Sequence, residues 1–328
     1  MKLGAIDQGT TSSRALMLSD GKAEVFATLT HKQFYPVSGW VEHDPRELLK
    51  NILTCCDALE SADALGLDNQ GESCLAWDKK TGEPISPVIV WQDNRTTNIT
   101  NKLKKDGHEE QVKALTGLPL DPYFSASKLA WILENVPEAK ELLGKKRLAL
   151  GTTDAFFLQN LVGRFVTDVT TASRTSLMNL KTMQWDDKLC NLFGVPKDTL
   201  PEILSTQDEY GELKVKGRNI PLRASVVDQQ ASLYGHGCRN VGDVKITLGT
   251  GAFALVINGN SPEMNDPNGL LPTVAWRLGS EKPIYALDGG VYNAASAVNW
   301  ARGLGLFSEY KEINAFDTPA AIDRGLIF

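Results

Sequence analysis

The sequence predicts an α/β chain of two related domains. Short apolar runs of strand length alternate with segments of helical spacing along 328 residues, a length that suits two or more domains, each with its own core. A strand, a glycine-containing turn and a second strand open the chain, at Leu3-Gly4-Ala5-Ile6, Asp7 to Arg14 and Ala15-Leu16-Met17-Leu18. The same pattern returns far downstream as Val244 to Leu248, Gly249-Thr250-Gly251 and Ala252 to Val256. Two such hairpins suggest two related domains facing each other across a nucleotide.

The first turn, Asp7-Gln8-Gly9-Thr10-Thr11-Ser12-Ser13-Arg14, is rich in small residues and backbone N–H groups, which suits a phosphate chain lying across it. Asp7 ends a strand, where a carboxylate could hold a hydrated Mg²⁺, and Arg14 offers a permanent positive charge. An ordinary tight turn with a solvated Asp and Arg reads equally well from these residues alone.

Glu24 to Thr30 is a third strand. Asp44-Pro45 opens a helix over Arg46 to Leu59, with Leu48, Leu49, Ile52, Leu53 and Cys56 at helical spacing. Strands follow at Ala64 to Asp68 and Ser73 to Trp77, then a polar turn at Asp78 to Gly82. The run Val88 to Trp91 leads into Gln92-Asp93-Asn94-Arg95. Polar residues there suit ligand work in an α/β fold, and a helix N-cap at Asp93 or Asn94 suits them equally.

Helices are expected over Thr96 to Lys105, Glu109 to Leu115, Ser125 to Asn135 and Thr153 to Val162. Thr, Ser and Arg dominate Val166 to Leu180 without a clear period, and Tyr210 to Arg223 reads as polar and turn-like. Ala224 to Val227 is an apolar run ending at Asp228-Gln229-Gln230. A strand at Ile284 to Leu287 and a helix over Asn293 to Arg302 complete the pattern.

Composition is that of a soluble globular protein, 42% hydrophobic and 23% charged. A net charge of −6 does not suggest a broad basic nucleic-acid surface. No apolar run is long enough to span a membrane, and Met1-Lys2-Leu3 enters the first strand without room for a signal peptide. The five cysteines form no Cys-x-x-Cys pair, so a disulfide framework or structural zinc is not expected and a reducing cytoplasm fits. The four histidines form no HExxH and read as surface or locally bonded side chains.

Taken together, these motifs resemble the FGGY carbohydrate kinases, most closely their glycerol kinase branch. The resemblance runs over essentially the whole chain. It is carried by Asp7 to Arg14, Gly39-Trp40-Val41-Glu42-His43-Asp44-Pro45, Val90-Trp91-Gln92, Arg95-Thr96, Asp121-Pro122-Tyr123-Phe124-Ser125, Lys128, Trp131, Ala172-Ser173-Arg174-Thr175, Asp228-Gln229-Gln230 and Gly249-Thr250-Gly251. It implies an actin/hexokinase/Hsp70-like architecture of ribonuclease H-type domains closing on ATP and a small polyol or sugar. Residues 1–235 would form a complete first domain, and 236–328 an incomplete second.

The resemblance also implies roles. Thr10, Thr11, Ser12 and Arg14 match the first phosphate hairpin, and Gly249, Thr250 and Gly251 the second. Glu72, Tyr123, Asp228 and Gln229 match residues that hydrogen-bond the polyol, with Trp91 and Phe253 against its carbons. Asp228 is the candidate general base, with Mg²⁺ expected near Asp7 and Asp228. Family analogy suggests a homo-oligomer.

Two departures stand out. Gly71 occupies the position of an arginine that contacts glycerol's hydroxyls in the family. That removes a forked donor and opens volume, so either glycerol is bound differently or a larger polyol is used. The chain also stops at Leu326-Ile327-Phe328, apparently within a strand, where family members run about half as long again and carry the adenosine motif. A shortened or clipped form, a short gene product and one half of a split protein would each explain this. The alternative function is a noncatalytic polyol-binding fragment without an adenine site.

Overall fold

The structure is a computed structural model that describes residues 1–249, 251–291 and 294–313. The chain divides into two compact units. The first is Met1–Lys245 with Leu255–Asp288, and the second is Ile246–Ala254 with Gly289–Phe328.

A six-stranded sheet forms the centre of the first unit. Its order is Gln207–Val215, Arg218–Val227, Ala64–Asn69, Lys2–Gln8, Ser12–Ser19 and Lys22–Thr30. Lys2–Gln8 and Ser12–Ser19 pair antiparallel as the predicted hairpin, whereas Lys2–Gln8, Ala64–Asn69 and Arg218–Val227 run parallel. The Pro45–Ala58 helix starts where expected because Asp44 accepts the Arg46 N–H at 2.9 Å and Pro45 needs no N–H partner. Its buried Leu48, Ile52, Cys55 and Cys56 share one core with Ile6, Leu65, Leu67 and Leu222 of the sheet and Phe156 and Phe157 of the Thr153–Val162 helix. Each such aliphatic side chain contributes about 1.5–3 kcal/mol by leaving water.

A second sheet, ordered Glu42–His43, Val88–Ile89, Cys74–Asp78 and Leu148–Thr152, packs its own core against the Ser125–Asn135 helix. Leu271–Trp276 and Ile284–Val291 pair antiparallel, with Leu271 opposite Asp288. Val274 and Tyr285 bury themselves against Val169, Ala172, Met178 and Leu180.

Several segments differ from expectation. Tyr210 to Arg223 is not a turn-like stretch but most of a hairpin, closed at Lys216-Gly217 with φ of 45° and 85°. Exposed Glu209, Glu212, Lys214 and Arg223 alternate with buried Tyr210, Leu213, Ile220 and Leu222, and the outer row masks the inner one. Asp93 and Asn94 cap no helix. The helix is Thr97–Lys105 behind Thr96, and buried Asp93 accepts from the Val41 N–H and Arg95. Val166 to Leu180 contains a strand (Val166–Asp168) and a short helix (Val169–Ala172) capped by Asp168. A Pro137–Gly144 helix and the Leu271–Trp276 strand are additional.

In the second unit, the Gly249 N–H donates to Gly251 O at 2.8 Å and the Ala295 N–H to Gly249 O at 3.1 Å. A helix spans Ala295–Gly303. Thr250, Asn293 and Leu326 to Phe328 lie outside the described residues. Among the described residues no helix is long and apolar enough to cross a membrane.

Candidate active site

Three parallel strands of the first unit end level with one another. Asp7 lies opposite Asp68, which lies opposite Val226, and Gln8 opposite Asn69, which lies opposite Val227. The chain therefore leaves all three strands at one carboxyl edge, where open α/β sheets place their ligands. Asp228 follows at once and begins the Asp228–Gly235 helix.

Burial, then the charge of Glu72, pushes Asp228 up to about 7, against the pull of the Gln229 N–H and Lys245. Asp68 is pushed well above the carboxylate range by burial and then by the charges of Asp7 and Asp228. Its Oδ1 is buried with no partner. Sequence reasoning did not single out Asp68. Its signal was available, because it ends the predicted strand Ala64 to Asp68 as Asp7 ends the first.

The opening hairpin pairs Asp7 with Arg14 and Gln8 with Ser13. Gln8 Nε2 donates to Gly9 O at 2.8 Å, His31 Nε2 to Thr10 O at 3.0 Å and the His31 N–H to Thr11 O at 3.2 Å. Burial lowers His31 below its ordinary value, against the pull of the Thr10 carbonyl. Three carbonyls at the tip are thus turned to donors behind the hairpin, where they would not repel an anion in front of it. Thr11 and Arg14 are exposed, and Thr10 and Ser12 half-buried.

Trp91 ties this hairpin to the other candidates. Its Nε1 donates to Thr10 Oγ1 at 3.0 Å, its N–H to Ser73 Oγ at 3.1 Å, and its ring meets Tyr123 edge-on at 5.8 Å. Buried Lys128 donates to Tyr123 O at 2.7 Å. Glu72 is buried with φ of 59°, a left-handed conformation rare outside glycine that clusters at functional sites. The Ser125 hydroxyl holds its carbonyl at 3.0 Å, and Arg174 Nε holds its carboxylate at 2.6 Å.

Arg174 Nη2 reaches Asp288 at 2.8 Å. The two carboxylates hold the guanidinium above its ordinary value despite its burial. Arg174 appeared in the sequence only as part of a motif in a stretch without period. A lone arginine in a Thr/Ser run was its available signal.

Beside Gly71, a β-carbon would lie 3.0 Å from Val227 Cγ1. Some of the volume expected there is therefore already filled by valine. Glu72, Trp91, Tyr123, Asp228 and Gln229 all belong to the first unit, while Gly249, Gly251 and Phe253 belong to the second. Within that unit Phe253 fits closely over Gly290, where a β-carbon would come within 2.9 Å of Cδ1.

The edge of the first unit thus gathers Asp7, Asp68 and Asp228, with Asp228 pushed up to about 7, and Trp91 joins the opening hairpin to Tyr123. Among the described residues no group of three His, Cys, Asp or Glu side chains could cage a metal ion. Asp7, with the orphan oxygen of Asp68 and Asp228 nearby, still fits a largely hydrated Mg²⁺ held by one or two carboxylates and by phosphates.

The FGGY family of carbohydrate kinases, N-terminal domain, matches residues 2–235. A glycerol kinase of Clavibacter michiganensis subsp. michiganensis is 42% identical over 99% of this chain and 67% of its own length. One of Ectopseudomonas mendocina is 45% identical over 95% and 65%. The crystal structure of Plasmodium falciparum glycerol kinase with ADP superimposes with a TM-score of 0.88 at 31% identity, covering 95% of this chain and 65% of that one. Gluconate kinase from Lactobacillus acidophilus, at 23% identity and a TM-score of 0.81 over 92% and 62%, shares the fold.

The chain thus spans about two thirds of the length of the curated relatives it matches. Its α/β architecture is the actin/hexokinase/Hsp70-like one. The chain belongs to the FGGY family of carbohydrate kinases.

Proposed function

We propose that the protein carrying this chain transfers the γ-phosphoryl group of Mg-ATP to a primary hydroxyl of glycerol or a related small polyol or sugar. The observation that carries this reading is the gathering of Glu72, Trp91, Tyr123, Asp228 and Gln229 at the strand edge that also holds the phosphate-type hairpin. The similarity to proteins named glycerol kinase supports it. We take 1–235 as the polyol domain and 236–328 as the start of the domain that completes the nucleotide site.

In this reading Glu72 and Asp228 accept polyol hydroxyl protons, and Trp91 and Tyr123 cover the carbon chain. Phe253 would add a second apolar wall. Asp228 takes the proton of the reacting hydroxyl as its oxygen bonds to the γ-phosphorus and the bond to the β–γ bridging oxygen breaks, releasing ADP. The backbone of residues 9–12 with Arg14, and Gly249, Thr250 and Gly251, would cradle the phosphates. Mg²⁺, held through Asp7 and Asp228, would supply neutralisation of phosphate charge.

Asp228→Asn tests this. It should lower phosphorylation of glycerol, followed as ADP release and phosphorylated product, by about 10²–10⁴, with a much smaller loss of glycerol affinity because the amide oxygen still accepts one hydroxyl proton. A variant as fast as the original would remove Asp228 from the role. A polyol panel with Mg-ATP assigns the substrate. Phosphate on none of glycerol, tetritols, pentitols or sugars would overturn the reading.

A further inference from the structure

Arg174 is buried, 4% exposed, and its guanidinium carries five N–H donors and no acceptor. Nε donates to Glu72 Oε1 at 2.6 Å and Nη2 to Asp288 Oδ2 at 2.8 Å. Nη1 is buried and has no hydrogen-bond partner. The rings of Tyr123 and Phe124 lie beside the group, with centroids 5.8 and 5.4 Å from its central carbon. A ring face eases a cation but does not replace an oxygen acceptor for its N–H groups.

A buried donor without an acceptor costs free energy, more so on a charged group, and calls for an explanation. The two carboxylates account for Nε and Nη2. They also fix the plane of the guanidinium, and with it the direction of Nη1. Glu72 is the carboxylate whose charge acts on Asp228, so the enclosed donor belongs to the group of side chains read above as the polyol site. Gly71, immediately before Glu72, has no side chain to give a donor there. Ionised Glu72 and Asp228 only accept hydrogen bonds, whereas each polyol hydroxyl brings lone pairs to be met as well as a proton to give.

We propose that Arg174 is a substrate-binding residue: its Nη1 donates to an oxygen of the bound polyol while Glu72 and Asp228 take hydroxyl protons. The oxygen reaches so enclosed an atom by shifting a half-buried neighbour, the Tyr123 ring. This deepens the reading of the first unit as a polyol site and rests on it.

Titration calorimetry of the 328-residue chain with glycerol, propane-1,3-diol and the two enantiomers of propane-1,2-diol tests it. Each diol lacks one glycerol hydroxyl. Arg174→Lys keeps a cation for Glu72 and Asp288 but loses the fork that carries the third nitrogen. It should weaken glycerol about tenfold, the scale of one lost hydrogen bond from a charged donor. It should weaken by less than twofold the diol that lacks the hydroxyl met by Arg174. A merely structural role would weaken all four ligands alike. A crystal structure of the unsubstituted chain with glycerol reads the contact even if Arg174→Lys fails to fold, and should place a glycerol oxygen within about 3.2 Å of Nη1.

Three results would overturn the proposal: unchanged glycerol affinity in Arg174→Lys, an equal loss for glycerol and every diol, or a bound glycerol with no oxygen in hydrogen-bond reach of Nη1. Should the chain bind a tetritol, pentitol or sugar in place of glycerol, the same comparison is made with that ligand and its deoxy analogues. Binding of none of them by the unsubstituted chain would instead overturn the polyol reading itself, and this proposal with it.

Discussion

A β-carbon at position 71 would press on Val227 Cγ1 at 3.0 Å, yet the Gly71 backbone is not left-handed. The glycine is required by its neighbour rather than by its own φ. Gly71→Ala should cost about 1–3 kcal/mol as an overpacked core does, and much less in a chain that also carries Val227→Ala. Urea midpoints of the single and double variants measure this, and an equal cost in both backgrounds would acquit the valine. Arg174 is the opposite case, a charge whose loss leaves Glu72 and Asp288 without their cation. Arg174→Met should destabilise by about 3–5 kcal/mol, and adding Glu72→Gln should return part of it. Chemical denaturation reads both. Neither neighbourhood was visible in the sequence. Gly71 showed only what side chain was absent, and Arg174 showed no period, because contacts across long sequence separations leave no local pattern.

At the scale of elements, the third strand and the segment after it carry a buried histidine pair, His31 and His43, packed edge-to-face at 4.8 Å. His43 Nδ1 donates to Lys32 O at 3.0 Å. Burial lowers His43 to about 4 from an ordinary 6.5. Its folded value lies below its unfolded one, so the stability it confers is complete above pH 6.5 and is lost as pH falls through about 4. That amounts to roughly 3 kcal/mol for one proton over this window. His43→Gln should flatten the fall of unfolding free energy across it, and a slope unchanged by the substitution would count against the assignment. Local elements were the legible ones. The opening hairpin and the Pro45–Ala58 and Ser125–Asn135 helices follow from turn residues, a cap and spacing close at hand. The hairpin ending at Val227 was not legible, because its charged outer row hides a period of two and its turn is the unremarkable pair Lys216-Gly217.

For the whole molecule, Glu72, Trp91, Tyr123, Asp228 and Gln229 of the proposed polyol site lie within the first unit. Glycerol at about a hundred times its Kd should therefore add about 2.7 kcal/mol to the unfolding free energy of that unit. The measurement is thermal unfolding against glycerol concentration, and a midpoint indifferent to glycerol beyond the effect of an equal weight of sucrose would reject the site. Asp7 and Asp228 could be named from motifs, but their nearness through Asp68 depends on parallel pairing of strands far apart in sequence, which spacing does not encode. Finally, the carbonyls of Gly9, Thr10 and Thr11 are bonded from behind by Gln8 and His31 before any ligand arrives. The hairpin is a finished surface rather than one that closes on its guest. If phosphate oxygens settle on it as proposed, little ordering entropy is lost, and nucleotide affinity there would be governed by desolvation and charge rather than by folding of the loop.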